Sequence, residues 1–153
     1  MIKPDQIKTT RKINRIILHC SATPEGRDVK TETIRSWHLE RGWSDIGYHF
    51  VIELDGEIVP GRDINRTGSH AKGFNTGSIG ICYVGGCDSD MKPKDTKTAK
   101  QNEALAAMVI MLQSEYPNAE ILGHCDLPNV SKACPSFSVA DFVSNLGKNL
   151  FGA

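Results

Sequence analysis

Two histidines and one cysteine stand where their side chains could share a single ion. His19 closes the apolar run Ile16-Ile17-Leu18, and His124 closes Ala119-Glu120-Ile121-Leu122-Gly123. Cys134 follows ten residues later, within Ser131-Lys132-Ala133-Cys134-Pro135-Ser136-Phe137. Two imidazoles and a thiolate can hold Zn²⁺ and leave a fourth position for water, the pattern of a catalytic rather than a closed structural site. Taken singly, each has a plainer reading: a strand-end histidine satisfied by backbone, or a small buried thiol. Only their company points to a metal. Cys20 and Cys125 directly follow the histidines. Neighbouring side chains of a strand point to opposite faces, so both thiols are expected to face away from the ion.

These residues need ordered elements to bring them together. Ile13 to His19 reads as a buried strand after a loose polar arm over residues 1–12. Ile34, Trp37 and His38 recur at helical spacing, predicting a helix over about 31–41 with Gly42 as its stop. Tyr48 to Leu54 alternates, and Asp55-Gly56 then predicts a two-residue hairpin turn leading into Glu57-Ile58-Val59. By that alternation His49 faces away from Tyr48, and His38 reads as packed core. Gly61 to Gly77 is a long polar loop of the kind that often carries function. Ser78 to Val84 is a further strand, and Cys87 to Lys97 is charged and exposed. Thr98-Ala99-Lys100-Gln101 fits a capping box opening a helix to about Tyr116, with Leu105, Met108, Val109 and Leu112 inward. A strand over 119–124 follows. Ser138 then caps a last helix, with Phe137 and Phe142 as its hydrophobic staple. The expected fold is α/β: one mixed central sheet flanked by helices, forming a single domain over residues 13–153.

Composition narrows the function. At 153 residues the chain can bury one core. Its formal net charge is zero, which argues against a dedicated nucleic-acid binder. No apolar run approaches the ~18 residues of a membrane helix. The start, Met1-Ile2-Lys3-Pro4-Asp5-Gln6, lacks the apolar segment of a signal peptide, so the chain is expected to be cytoplasmic at synthesis. The five cysteines form no CxxC pair, and their odd number speaks against a disulfide framework or a zinc ribbon.

Longer segments carry a resemblance. Ile17-Leu18-His19-Cys20-Ser21-Ala22-Thr23 resembles the first zinc-ligand segment of the zinc-dependent N-acetylmuramoyl-L-alanine amidases. Trp37-His38 with Gly42-Trp43-Ser44-Asp45-Ile46-Gly47-Tyr48-His49-Phe50 is similar to the second. Gly61-Arg62-Asp63, Gly68 to Asn75 and Ser78-Ile79-Gly80-Ile81 resemble the third, and His124 with Lys132 to Phe137 completes the set. The match runs in order over about residues 13–145. It is most similar to the small single-domain lysozymes of the T7-like bacteriophages, which are amidases.

The resemblance implies one zinc ion held by His19, His124 and Cys134, with Tyr48 and Lys132 around the reacting carbonyl. Many relatives carry Glu where this chain has Tyr48. A tyrosine, with an ordinary pKa near ~10, would position water or donate a hydrogen bond rather than act as a base. Lys132 lies two residues before a ligand, so its ammonium can reach the developing oxyanion. His70 reads either as a substrate contact or proton donor near the metal, or as a surface histidine. Asn75, Thr76 and Ser78 line a substrate groove on resemblance only. Trp37 and Trp43 read as core or rim. The implied activity is hydrolysis of the amide between N-acetylmuramic acid and L-alanine in peptidoglycan, acting on the wall after release or export. The alternative is a peptidoglycan-binding module of the same fold without catalysis, against which the retained Cys134 argues. A monomer is expected, without membrane insertion. A polymerase contact follows only because T7-like relatives make one.

Overall fold

A computed structural model describes residues 2–151. The strands are β1 (Arg15–Cys20), β2 (Thr23–Pro24), β3 (Phe50–Ile52), β4 (Ile58–Pro60), β5 (Ser78–Tyr83), β6 (Gly86–Cys87) and β7 (Glu120–Gly123). The α-helices are α1 (Thr31–Glu40), α2 (Ala99–Glu115), α3 (Val139–Ser144) and α4 (Leu146–Phe151). The main sheet has the order β4-β3-β5-β1-β7, and β2 pairs with β6 beside it. Only the β3–β4 hairpin is antiparallel; the other main-sheet pairings are parallel. The expected mixed sheet with flanking helices is the fold observed.

Alternation along β1 decides what each face carries. Ile16, Leu18 and Cys20 join Phe50, Ile52, Ile79, Ile81 and Tyr83 in the core shared with Leu105, Met108, Val109 and Leu112 of α2. Burial of each such α2 side chain contributes roughly 1.5–3 kcal/mol. Ile17 points the other way, toward Ala71, Leu122 and Leu127. His19 lies two residues further on and shares that face. α1 covers the rest of it, with Ile34 packed among Val29, Ile46, Val51 and Val84.

Several boundaries differ from expectation for local reasons. The opening segment is packed, not loose. Ile2 and Ile7 are buried in the core, the Tyr116 hydroxyl donates to the Ile7 carbonyl, and Arg11 donates to the carbonyls of Ile64 and Ser78. The hairpin loop is Leu54-Asp55-Gly56, three residues rather than two. The Glu53 amide donates to the Glu57 carbonyl at 2.9 Å, and Gly56 takes the left-handed conformation with φ 89°. This geometry turns Glu53 inward, where its carboxylate accepts from the Thr31 amide and hydroxyl at 2.8 Å each. Lys30 offers α1 no side-chain cap, so the hairpin supplies a buried acid at the positive end of the helix dipole. The last helix breaks at Asn145 into α3 and α4. Its Ser138 cap and the Phe137–Phe142 contact are as expected.

The α2 capping box forms and does more than cap. The Gln101 amide donates to the Thr98 hydroxyl at 3.1 Å, and the Thr98 amide donates to Gln101 Oε1 at 3.0 Å. Gln101 Nε2 donates to the carbonyls of Val84 and Ile52 at 2.9 and 3.3 Å, tying the helix start to β3 and the end of β5. Gln101→Leu keeps the volume but strands these groups, and should cost about 2–4 kcal/mol of stability in urea unfolding.

His49 braces the same region. Its Nδ1 accepts the Gly80 amide at 3.1 Å, so its proton sits on Nε2, which donates to the Arg66 carbonyl at 2.8 Å. Burial pushes its pKa down to about 4. The unfolded chain binds that proton near pH ~6.5, so the native state is favoured above 6.5 and loses ground as the pH falls toward 4. His49→Gln should lose less stability between pH 7 and 4 than the parent, by on the order of 3 kcal/mol, in urea titrations at the two pH values.

Candidate metal centre and cleft

The two histidines meet because of strand register. β1 runs parallel to β7 with Leu18 opposite Gly123. The next residue on each chain is a histidine, and their rings lie 4.8 Å apart between centroids. Both stand at the carboxyl ends of adjacent parallel strands, the usual place for a site in an open α/β sheet. β7 stops there because His124–Asp126 turn into a 3₁₀ helix, whose Asp126 carboxylate accepts the Gly123 amide at 2.8 Å.

Cys134 is carried back by a loop fastened at several points. The Cys125 amide donates to the Cys134 carbonyl at 2.8 Å, and the Cys20 amide donates to the Cys134 sulfur at 3.2 Å. Beyond it, the Tyr83 hydroxyl donates to the Pro135 carbonyl at 2.7 Å and Ser136 donates to the Gly86 carbonyl at 2.9 Å. Phe137 lies under the Lys97 ammonium, 3.5 Å from the ring centroid, and Asp95 pairs with that ammonium at 2.7 Å. His19 Nδ1 ends 3.8 Å from Cys134 Sγ. The ligating atoms of His19, His124 and Cys134 all lie within 4.8 Å of one another.

The electrostatics suit a cation. Burial, then the charges of His70, His124 and Lys132, hold His19 well below its ordinary pKa. Burial and Lys132 lower His124 in the same way. Both rings are therefore neutral at pH 7, with lone pairs to give. The contact with Cys20 and burial push the Cys134 thiol up, so a bound cation is what would ionise it. The set could hold a metal ion.

Around the three lies a cleft of about 620 Å³, lined among others by Trp37, His38, Arg41, Trp43, Tyr48, Lys72 and Lys132. Among the described residues, none that lines it is a carboxylate. Tyr48 leans on His19 with ring centroids 5.2 Å apart. Burial and the neighbouring thiol Cys82 hold its hydroxyl well above the usual pKa, so it stays protonated and can donate. Lys132 is exposed at the cleft. Trp37 and Trp43 stand half-buried in the wall. His38 is buried, and its Nδ1 accepts the Gly47 amide at 2.9 Å.

Three expectations need correction. His70 is not a surface histidine: it is buried at the edge of the cleft, with Nδ1 2.8 Å from His19 Nε2 and Nε2 3.1 Å from the Ser78 hydroxyl. Ser78 lines no groove, being fully buried at the start of β5. Thr76 is exposed but outside the cleft. Asn75 does border the cleft, yet its Oδ1 is occupied by the amides of His70 and Ala71 at 2.9 and 2.8 Å. Cys125 avoids the centre as expected, but through the 3₁₀ turn rather than strand alternation. Cys20 packs in the α2 core by alternation, yet its thiol also contacts the Cys134 side chain and its backbone amide donates to that sulfur. Sequence reasoning missed Tyr83 and Lys97 as supports of the ligand loop. Tyr83 lay in an apolar strand and Lys97 in a charged stretch, so neither carried a local signal.

Comparison with known proteins identifies the family. The family model for N-acetylmuramoyl-L-alanine amidase matches residues 9–137. The endolysin of Escherichia phage T7 is 42% identical over 134 residues, covering 88% of this chain and 87% of its own. The endolysin N-acetylmuramoyl-L-alanine amidase LysCS from Clostridium intestinale superposes with a TM-score of 0.75 at 29% identity, over 90% of this chain and 85% of its own. A mutant of Drosophila PGRP-LB in complex with tracheal cytotoxin superposes with a TM-score of 0.70 at 26% identity, over 90% of this chain and 82% of its own. With two histidines and a cysteine gathered at the strand ends of that shared fold, the chain belongs to the N-acetylmuramoyl-L-alanine amidase family.

Proposed function

We propose that this protein uses one zinc ion to hydrolyse the amide between N-acetylmuramic acid and L-alanine in peptidoglycan, as an endolysin does. The observation that carries the reading is the convergence of His19, His124 and Cys134 in a cleft of an amidase-family fold. Two nitrogens and one sulfur are donors that zinc accepts. Ligand atoms at zinc distances on a tetrahedron lie roughly 3.3–3.8 Å apart, and the His19–Cys134 pair is separated by 3.8 Å. When bound, zinc supplies Lewis acidity toward the scissile carbonyl and activation of water.

The chain's own residues supply the rest. The Lys132 ammonium faces the cleft and can stabilise the negative charge that develops on the carbonyl oxygen. The Tyr48 hydroxyl, kept protonated, orients water or the carbonyl by donating a hydrogen bond. Trp37, Trp43, Arg41 and Lys72 form the wall along which the glycan-peptide is held. Among the described residues, no helix is long and apolar enough to cross a membrane.

Purified peptidoglycan digested with the protein should release products cut between muramic acid and alanine by mass spectrometry, and a chelator should abolish the cut. Cys134→Ala and His19→Ala should each lose zinc, measured by atomic absorption, together with wall lysis; full lysis by metal-free Cys134→Ala would sink the mechanism. Lys132→Ala should retain zinc but lose about 10²–10³-fold in turnover, the scale of one oxyanion donor. An equal loss of metal would make Lys132 a structural residue instead.

A further inference from the structure

We infer that His70, Ser78 and the Asn75 carbonyl form a relay that fixes the proton of His19 on Nε2 and thereby presents Nδ1 as the bare, metal-facing nitrogen. His70 and Ser78 are then positioning residues. The inference rests on the reading of His19 as a metal ligand.

The relay runs in a consistent direction from the Ser78 hydroxyl, which donates to the Asn75 carbonyl. Ser78 Oγ lies 3.0 Å from the Asn75 carbonyl oxygen, which can only accept, so the one hydroxyl hydrogen points there. Ser78 must then accept from His70 Nε2, 3.1 Å away, and that nitrogen carries the proton. A neutral imidazole has one N–H, so His70 Nδ1 is a lone pair. His19 Nε2, 2.8 Å from it, must donate. The second nitrogen of His19 is left without a proton, and it is the one facing Cys134 Sγ.

The parts cannot shift. Asn75 grips both ends, since its Oδ1 accepts the His70 amide at 2.9 Å while its carbonyl terminates the relay. The His70 ring lies against two glycines. A Cβ at Gly80 would come within 2.6 Å of it, and one at Gly68 within 2.7 Å. Arg11 donates to the Ser78 carbonyl at 2.8 Å, so the N-terminal segment braces the far end. Partners of this kind orient a ligating histidine and fix its tautomer, and losing them typically weakens metal binding 10–100-fold. Here the partner is neutral, so the centre gains orientation without gaining charge.

The test is zinc affinity by chelator competition for the parent protein, His70→Phe, His70→Asn and Ser78→Ala. Phenylalanine keeps a ring but no acceptor, whereas asparagine places Oδ1 near where Nδ1 stood. His70→Phe should weaken zinc 10–100-fold, Ser78→Ala should shift it less in the same direction, and His70→Asn should recover to within about threefold of the parent. Long-range ¹⁵N–¹H spectra of the unmodified protein should show Nε2–H tautomers at both His19 and His70, which keeps the test independent of whether a variant folds. An Nδ1–H tautomer at either ring, or parent-like zinc affinity in His70→Phe, overturns the relay alone. A parent protein that takes up no zinc overturns the metal centre and the relay with it.

Discussion

The parallel register of β1 against β7 is the constraint on which the rest depends. Leu18 opposes Gly123, so His19 near the end of β1 and His124 just past the end of β7 follow side by side. Adjacent strands lie about 4.8 Å apart, which brings the two rings within reach of one ion without any special loop. A slip of one residue would turn every side chain of β7 to the other face and carry His124 away from His19. That register is held by burial: Ile17 and Leu122 pack on the same face as the site, while Ile16 and Leu18 pack against α2. The hydrophobic pattern that folds the sheet is therefore also what pairs the histidines.

The third donor is placed by different physics. Cys134 sits on an irregular loop, and polar contacts fasten it where strand pairing cannot. Backbone amides from Cys20 and Cys125 hold its sulfur and its carbonyl, and Tyr83, Ser136 and Lys97 hold the residues after it. Lys97 is nearly enclosed, at 2% side-chain exposure, between an aromatic ring and a carboxylate. These contacts join β5, β6 and the stretch before α2 to the ligand loop, so the centre is assembled from most of the chain. Among the described residues, the cleft around it is lined with cations, aromatic rings and hydroxyls but no carboxylate. The cations and hydroxyls gathered there are groups that can donate hydrogen bonds to a negatively charged oxygen.

Much of this was legible in the sequence. Alternation and helical spacing located the principal strands and helices because both periods report burial, and burial is what the core enforces. The α2 capping box was legible because its partners lie three residues apart. The three candidate ligands stood at strand ends and in a Lys-Ala-Cys-Pro segment, and the ordered motifs around them identified the family. What the sequence could not decide were interactions between segments distant in the chain. Whether Glu53 would cap α1, whether Ile2 and Ile7 would pack, and whether the hairpin would close on two residues or three all depend on a partner surface that local pattern does not contain.

His70 and Ser78 show the division most clearly. In the sequence His70 could be a substrate contact, a proton donor or a surface histidine, and Ser78 was placed in a groove only by resemblance. Only the tertiary structure turned them inward. The parallel pairing of β5 with β1 sets Ser78 beside the base of the site, and Gly80 leaves room for a ring where any other residue would fill the space. By itself the sequence determined the candidate donor atoms and the fold that carries them, since both are written in residue type and period. The partner of each polar group and the face of each ring were decided by three-dimensional packing, because a hydrogen bond depends on distances between atoms that the chain order does not set.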